Sequence, residues 1–379
     1  MSEVLLALAA VFLLLGLHPY ITYPLSLMLI HRQRPTSPPP GWRRPSVAIC
    51  MSAYNEEAVI VAKVEGLLAA AEVYGPAKVH VYIDGSTDRT AELLEPYRGR
   101  INIVSSDQRR GKTFGLKDVV AGSESELLAF TDANVVMAPD CILKLVEAMQ
   151  DPGVCGASAR LIYSNPQETG ISASGAVYWN IEEAIKSLES ETVGMIGVDG
   201  ALFVIERAAY SPPPDELIDD LYVSMSAVLT GKRVVSVQGV IVEERSASNW
   251  REEFNRKIRI SCQGINIHRA LWPRLVKAPP RILYCYLSHR FLRWMSPFTL
   301  LLSGLCLLAS LWLAFGLIIP VLVAILAVLL LLGAWVNVPG FRMVVAAATA
   351  MAGVAEGVLE AVLTRQMYTT WTPASTVRN

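Results

Sequence analysis

Apolar residues follow two different patterns along the chain. At both ends they form long, almost uncharged stretches, whereas between about 46 and 268 they form short runs separated by polar loops. The first short runs, 46–52, 79–83, 101–106 and the one that begins at 127, alternate with helical patterns. This alternation predicts a parallel sheet with crossover helices. The loops at the strand ends hold the polar residues, so we expect a ligand to lie across them.

The amino-terminal apolar stretch, residues 4–30, is long enough to cross a bilayer. A Pro-rich linker follows it and contains Arg32, Arg34, Arg43 and Arg44. Basic residues beside a span are typical of the cytoplasmic side. We therefore predict a membrane anchor at 1–30 and a basic linker at 31–45, with the globular part in the cytoplasm; a long buried core helix is the alternative.

The carboxyl-terminal apolar region divides into three predicted segments. Residues 269–296 mix aromatic and basic side chains, a composition typical of interfacial amphipathic helices. The uncharged stretch that follows has the length of two transmembrane helices, which we place at 297–336. The last segment, 337–379, carries Glu356 and Glu360 within an apolar run. We expect an interfacial or re-entrant segment with a cytoplasmic tail there, and a third crossing is the alternative.

Composition narrows the class of protein. The 379 residues are 53% hydrophobic and 18% charged, which is too apolar for an ordinary soluble protein. The net charge of −1 gives no argument for nucleic-acid binding. Six cysteines without CxxC spacing favour free thiols in a reducing compartment over disulfides or zinc.

The polar loop with the clearest chemistry follows the apolar run at 127 and has the sequence TDAN. A carboxylate at the carboxyl end of a buried strand lies where α/β sheets bind ligands. Asp132, with Asn134 two residues on, can hold a hard divalent cation, Mg²⁺ or Mn²⁺, that bridges phosphates. Arg110 and Lys112 flank a glycine in another of these loops, and cations there would offset the charge of a diphosphate.

Several motifs in this order resemble a known family. AYNEE (53–57), DGSTD (84–88), RRGKTFGL (109–116) and FTDAN (130–134) look like the nucleotide-sugar half of a family-2 inverting glycosyltransferase. VDGALFVIER (198–207), PPPDELIDDLYVSM (212–225), the acidic pair 243–244, EEFNRKIRI (252–260) and SHRFLRW (288–294) resemble the second half in its membrane-bound bacterial branch, which includes chitin, hyaluronan and cellulose synthases. The resemblance implies an α/β, Rossmann-like GT-A domain, here 46–268, between amino- and carboxyl-terminal transmembrane helices.

The resemblance also assigns site residues. Nucleotide-sugar contacts are expected from Ala53, Tyr54, Glu56, Asp84, Arg110, Lys112, Asp132 and Ala133. Asp220 would be the catalytic base, and we expect the adjacent Asp219 to satisfy helix amides. Asp199, Gly200 and Ala201 would meet the donor sugar and the acceptor. Arg256 and Arg259 occupy the QxxRW position of the family, with Gln and Trp replaced, and would face the diphosphate and acceptor; a basic helix on anionic lipid is the alternative.

Together these expectations describe an enzyme of the bacterial inner membrane. It would transfer a hexosyl unit from a nucleoside-diphosphate sugar, with UDP as the expected nucleotide, to a lipid-linked or polysaccharide acceptor at the cytoplasmic face. The small number of predicted crossings favours short-range transfer, as in exopolysaccharide biosynthesis, over a processive synthase, unless the chain oligomerises. The rival from another class is a catalytically silent nucleotide-sugar sensor or scaffold.

Overall fold

The computed structural model describes residues 1–33, 41–164, 170–245, 249–336 and 338–370. Residues 34–40 of the predicted linker and 371–379 of the predicted tail lie outside the described residues. One sheet contains eight strands, which are β1 (Val47–Ala53), β2 (Ala77–Asp84), β3 (Asn102–Ser106), β4 (Leu127–Thr131), β5 (Val136–Met137), β6 (Val154–Tyr163), β7 (Leu202–Glu206) and β8 (Arg233–Glu244). The prediction that four apolar runs form strands is confirmed, since these runs are β1 to β4.

The sheet has a parallel half and a mixed half. Its strand order is β3-β2-β1-β4-β7-β6-β8-β5. Strands β1 to β4 are mutually parallel, as predicted, whereas β7 lies antiparallel to both β4 and β6. The carboxyl ends of β1, β2 and β4 therefore share one edge, and antiparallel β7 brings the residues that precede it to the same edge.

Helices cover both faces of the sheet. The helices are α1 (Ser2–Leu17), α2 (Thr22–Leu27), α3 (Ile60–Tyr74), α4 (Thr90–Leu94), α5 (Lys112–Ala121), α6 (Cys141–Ala148), α7 (Gly170–Thr192), α8 (Asp219–Val228), α9 (Trp250–Leu275), α10 (Pro280–Tyr286), α11 (Leu292–Phe315), α12 (Ile318–Trp335) and α13 (Pro339–Leu359). Helices α3 and α6 pack on one face, and α5 and α8 pack on the other. The near-continuous apolar strands β1 and β4 are buried because both faces are covered.

The terminal apolar segments form helices that pack outside the sheet. Two helical stretches, Pro280–Phe315 and Met343–Thr364, are long and apolar enough to cross a membrane by length and composition, and α1 and α12 are shorter. The amino-terminal apolar stretch is not one helix, because α1 ends at Leu17. The ring of His18 follows it and bonds to Thr22 and Ser288, which ties this turn to the carboxyl-terminal half.

Helix α13 packs closely on α9 through glycines. A side-chain carbon at Gly357 would lie 2.2 Å from the carbonyl oxygen of Ile258, so no larger residue fits there. After Arg365, which adopts a left-handed conformation, the chain turns back towards the sheet. The amide of Gln263 donates to the carbonyl oxygens of Tyr368 at 2.9 Å and Glu216 at 2.8 Å. We call residues 366–370 the return segment.

Candidate active site

An ammonium group lies at the centre of the shared strand edge. Lys112 begins α5, directly after Gly111, whose φ of 97° is a conformation that glycine adopts readily. Its Nζ lies 2.7 Å from Oδ1 of Asp132 and 3.3 Å from Oδ1 of Asp219. Lys112 therefore joins the loop after β4 to the start of α8, two elements that are distant in sequence.

The acidic pair at the start of α8 is arranged differently from our expectation. We expected Asp219 to satisfy helix amides, but its carboxylate pairs with Lys112. Asp220 is the residue whose Oδ1 accepts the neighbouring amide of Leu221, at 2.6 Å. The reason is that the Lys112 ammonium offers a buried carboxylate a charged partner, which is stronger than a neutral amide.

Gly200 shows that the predicted carboxylates share one hollow. A methyl carbon added to Gly200 would lie 3.2 Å from Oδ2 of Asp220, 3.2 Å from Nζ of Lys112 and 3.4 Å from Oδ2 of Asp132. The Oδ2 atoms of Asp132 and Asp220 thus flank the same small space. Absence of a side chain at residue 200 keeps that space open.

The charges in this hollow shift the proton affinities of its groups. Burial lowers the pKa of Lys112, but the three surrounding carboxylates outweigh it and raise that pKa above its ordinary value. Burial and the negative charge of Asp219 together raise the pKa of Asp220 to about 7, and the charge of Lys112 opposes this shift. Burial also raises the pKa of Asp219, again against the charge of Lys112. Asp220 is therefore poised to exchange a proton near neutral pH.

Asp84 holds the loop that carries the predicted diphosphate cations. Its carboxylate accepts the amide of Arg110 at 2.6 Å and the amide of Gly111 at 3.0 Å. Asp88, by contrast, accepts the amide of Thr90 at 3.0 Å, in the turn that precedes α4. Asp84 is 3% exposed, so its first effect is to fix the backbone around Lys112.

The remaining nucleotide-side residues lie at the tips of β1 and β4. Ala53 and Ala133 are buried, and the amide of Glu56, also buried, donates to the hydroxyl of Thr90. The guanidinium of Arg109 lies 3.7 Å from the ring centre of Tyr54. Because the Tyr54 ring is half-exposed, the Arg109 guanidinium stacked on it gives this edge of the sheet a flat cationic surface. Arg110 instead packs over Phe114.

The residues predicted to hold a cation have a donor set that fits one. Oδ2 of Asp132 borders the hollow, and the side-chain amide of Asn134 donates to Oε1 of Glu244 at 2.9 Å. In the described part of the chain no group donates to Oδ1 of Asn134, so this oxygen is available as a ligand. No group of three or more His, Cys, Asp or Glu that could hold a metal occurs among the described residues. One carboxylate and one amide oxygen suit Mg²⁺ or Mn²⁺ completed by water and phosphate.

A buried lysine supports this loop from behind, and the sequence patterns did not indicate it. Nζ of Lys63, on α3, donates to the hydroxyl of Thr131 at 2.9 Å and to the carbonyl of Val135 at 2.7 Å. The Thr131 hydroxyl in turn donates to the carbonyl of Ala201 at 2.7 Å. Burial lowers the pKa of Lys63 to about 7. Lys63 thus fixes both ends of the 132–134 loop.

The acceptor-side residues are held by further buried charges. Asp199 forms an ion pair with Lys186, which also lies 3.1 Å from Glu183, so the predicted 199–201 loop is anchored to α7. Arg290 donates to the carbonyls of Ile196 and, at 3.0 Å, Gly197. Lys186 could not be found from local patterns because its partner belongs to a different element.

A histidine without predicted function is also part of this anchorage. His289 lies between Glu189, at 2.6 Å, and Glu182, at 3.3 Å, and is fully buried. The hydroxyl of Tyr23 donates to the same Glu189 at 2.6 Å. This network joins α7 to the amino-terminal segment and to the residues between α10 and α11.

The two arginines of α9 have different surroundings. Arg256 is paired with Glu253 at 3.0 Å and donates to the Tyr163 hydroxyl at 3.4 Å. Burial and the charge of Arg256 lower the pKa of Arg259 to about 10, while the carboxylates of Asp220 and Asp132 act in the opposite direction. Arg259 therefore remains charged at neutral pH and acts electrostatically on the hollow.

Parts of the chain are similar in sequence to known glycosyltransferases. Residues 48–210 match the model of glycosyl transferase family 2. An N-acetylglucosaminyltransferase of Mesorhizobium japonicum is 33% identical over 144 residues, which are 36% of this chain and 34% of that protein. One from Bradyrhizobium elkanii is 29% identical over 134 residues, 34% of this chain and 72% of that protein. The β-monoglucosyldiacylglycerol synthase of Nostoc sp. is 31% identical over 130 residues, 33% of this chain and 28% of that protein.

A solved structure extends the likeness of fold to almost the whole chain. The mannosyltransferase of Pyrobaculum calidifontis, solved in complex with GDP-Man and Mn²⁺, superimposes with a TM-score of 0.72 at 19% identity, covering 96% of this chain and 100% of that one. The order of strands and the match to the family model agree with the resemblance stated from the motifs. Residues 48–210 are therefore similar to glycosyl transferase family 2, and the chain has the mixed α/β sheet of the GT-A fold.

Proposed function

We propose that the protein is an inverting glycosyltransferase that moves a hexosyl unit from a nucleoside-diphosphate sugar to a hydroxyl group of an acceptor at the membrane. The convergence of Lys112, Asp132 and Asp220 on the hollow beside Gly200 is the observation that carries this proposal. It combines a cationic and metal-binding side for the leaving diphosphate with a carboxylate of raised pKa for the attacking alcohol. A silent nucleotide-sugar sensor would need only the first of these two sides.

The proposed reaction is a single displacement in which Asp220 and Lys112 have different roles. The acceptor hydroxyl oxygen forms a bond to the anomeric carbon, and the bond from that carbon to the diphosphate oxygen breaks on the opposite face, which inverts the configuration. Asp220 accepts the hydroxyl proton. The Lys112 ammonium stabilises charge on the departing diphosphate. Mg²⁺ or Mn²⁺ held by Asp132 and Asn134 would supply Lewis-acid stabilisation of the same group.

We infer a UDP-sugar donor and a lipid-linked or polysaccharide acceptor. The N-acetylglucosaminyltransferase relatives support transfer of a hexosyl unit, and the glycolipid synthase relative supports a lipid acceptor, whereas the Pyrobaculum structure contains GDP-Man. The apolar helices α11 and α13 support attachment to a membrane, which we infer to be the bacterial inner membrane. The basic residues that follow the amino-terminal apolar stretch support a cytoplasmic position for residues 46–268. Short-range transfer to a lipid-linked acceptor is our first reading, and processive polysaccharide synthesis is the second.

A turnover assay tests this proposal. The full chain, purified in detergent with Mn²⁺, is given UDP-glucose, UDP-N-acetylglucosamine or GDP-mannose together with native bacterial lipid extract, and release of the nucleoside diphosphate is measured. We expect release that depends on both one donor and the extract. Nucleotide binding without release across these donors and extracts would favour the sensor instead.

We expect activity to fall as the pH is lowered through about 7, because the base must be deprotonated and the pKa of Asp220 is raised to about 7. Below that pH the proton occupies the carboxylate that should accept the acceptor proton, so kcat/KM should decrease about tenfold per pH unit. The measurement is kcat/KM from pH 5.5 to 9 by nucleotide release. A profile that stays flat down to pH 5.5 contradicts the assignment of Asp220.

A Gly200→Val variant should retain its fold but lose at least about 10²-fold in turnover, because the added carbons occupy the space between Asp132 and Asp220. The matched control is Gly239→Val on β8, where an added carbon meets no atom within 4 Å. Turnover and melting temperature are compared for both variants. Equal turnover in the two would show that the hollow beside residue 200 is not where the reaction occurs.

A further inference from the structure

We propose that Glu244 is a positioning residue of the metal site, which fixes the orientation of the Asn134 amide so that its oxygen faces the cation. The inference rests on the proposed function, since it concerns the cation of the same site. It explains why the TDAN loop has an asparagine where the family pattern has a second aspartate. It concerns a residue outside the metal ligands predicted from the sequence.

The sheet itself brings Glu244 to the loop. Strand β5 follows the 132–134 loop directly and pairs antiparallel with the end of β8, with Val136 opposite Glu243. One residue further along β8, the side chain of Glu244 reaches Asn134, and Oε1 accepts from Nδ2 at 2.9 Å. The backbone carbonyl of Glu244 also accepts the amide of Ser164 at 3.0 Å. Both the strand position and the side-chain bond are therefore fixed.

A carboxylate determines the orientation of an amide in a way that a neutral group does not. Ionised Glu244 can only accept hydrogen bonds, so only the nitrogen of Asn134 can face it. The oxygen Oδ1 then points to the other side of the amide group, where no described group donates to it. Burial and the charge of Asp132 raise the pKa of Glu244, whereas the charge of Arg256 and the bond from Asn134 act in the opposite direction and favour the ionised form. Outer-sphere partners of this kind orient metal ligands and change metal affinity by about 10- to 100-fold.

The same contact explains why a second aspartate would be unfavourable at residue 134. A carboxylate oxygen in the place of Nδ2 would lie at hydrogen-bond distance from Oε1 of Glu244 with no proton between them. Two like charges that close disfavour each other's ionisation. Asparagine at 134 and glutamate at 244 are thus a matched pair of one amide and one carboxylate. The double exchange Asn134→Asp/Glu244→Gln should again place one amide opposite one carboxylate.

The test measures Mn²⁺ affinity directly, apart from catalysis. Free Mn²⁺ is titrated by electron paramagnetic resonance against the full chain in detergent, alone and with UDP or GDP. The variants are Glu244→Gln, Asn134→Asp and the double exchange Asn134→Asp/Glu244→Gln. The matched control is Glu243→Gln, which makes the same chemical change one residue away at an exposed position.

We expect Glu244→Gln to weaken Mn²⁺ binding by at least about tenfold, because glutamine can donate as well as accept and no longer selects one orientation of the Asn134 amide. Glu243→Gln should bind as the wild type does. Asn134→Asp alone should gain no affinity, and the double exchange should bind at least about tenfold more tightly than Asn134→Asp.

The inference is overturned if Glu244→Gln binds Mn²⁺ as tightly as Glu243→Gln. It is also overturned if Asn134→Asp binds Mn²⁺ as tightly as the double exchange, or if the wild type does not bind Mn²⁺. If Glu244→Gln does not fold, Asn134→Asp decides, since it leaves Glu244 in place and tighter binding than wild type refutes the pairing. Nucleotide release by the wild type is measured separately. If the wild type releases nucleotide but the variants bind Mn²⁺ with unaltered affinity, only the role of Glu244 is refuted. If the variants show the expected Mn²⁺ affinities but the wild type releases no nucleotide, only the proposed transferase activity is refuted.

Discussion

An Asp220→Asn variant is expected to bind the sugar nucleotide and Mn²⁺ like the wild type and to turn over about 10³-fold more slowly. The amide cannot accept the acceptor proton at neutral pH, and positioned general bases contribute about 10²- to 10⁴-fold to rate. Asn keeps the size of the side chain, so the hollow beside Gly200 is preserved. The measurement is nucleotide release under saturating donor, together with nucleotide affinity by calorimetry.

The same substitution should not destabilise the protein. The raised pKa of Asp220 means that its ionised form is disfavoured in the folded chain, beside Asp219, and the neutral amide removes that unfavourable charge above pH 7. The melting temperature at pH 8 should therefore be equal to that of the wild type or higher. Asp215→Asn is the control, because this surface carboxylate pairs with Lys117 at 2.6 Å away from the hollow. Loss of activity in both variants alike would contradict the role of Asp220.

A Lys112→Gln variant should lose both stability and activity. Lys112 is the cation between Asp132 and Asp219, and its side chain is 17% exposed while that of Asp219 is 5% exposed. Removing one partner of a buried ion pair leaves uncompensated charge and costs about 3–5 kcal/mol. Urea unfolding followed by circular dichroism measures this change, and nucleotide release measures the loss of turnover.

Two comparisons isolate the effect of Lys112. Lys117→Gln breaks the more exposed pair with Asp215 and should change the free energy of unfolding by no more than about 1 kcal/mol. Added Mn²⁺ should raise the melting temperature of Lys112→Gln more than that of the wild type, because the ion replaces part of the missing positive charge. Equal stability of the Lys112 and Lys117 variants would show that the carboxylates do not depend on this ammonium.

Sequence patterns located the residues of the site that follow strands. Asp132 and Lys112 could be found because a buried apolar run ends before the first, and a glycine precedes the second at the start of a helix. Asp220 and Gly200 needed the family resemblance, since nothing in their local sequence shows that they border the same hollow. The structure shows that they do, through antiparallel β7 and the start of α8.

Supporting residues could not be predicted because their partners are distant in sequence. Lys63 is 68 residues from Thr131, and Glu244 is 110 residues from Asn134, so each contact depends on how strands and helices assemble. The ion pair of Asp219 with Lys112 was not predicted for a related reason. The position of Asp219 at a helix start suggested bonds to local amides, whereas the ammonium that binds it comes from the opposite half of the domain.

The return segment makes the donor loop depend on the far end of the chain. The carbonyl oxygen of Thr369 would lie only 2.3 Å from a side-chain carbon at Gly111, so the two backbones touch directly. Because this segment continues from the stretch that ends at Thr364, we expect a displacement of α13 along α9 to move the loop beside Lys112 as well. In the proposed transferase, release of the nucleoside diphosphate would then depend on the position of an apolar helix that lies outside the sheet.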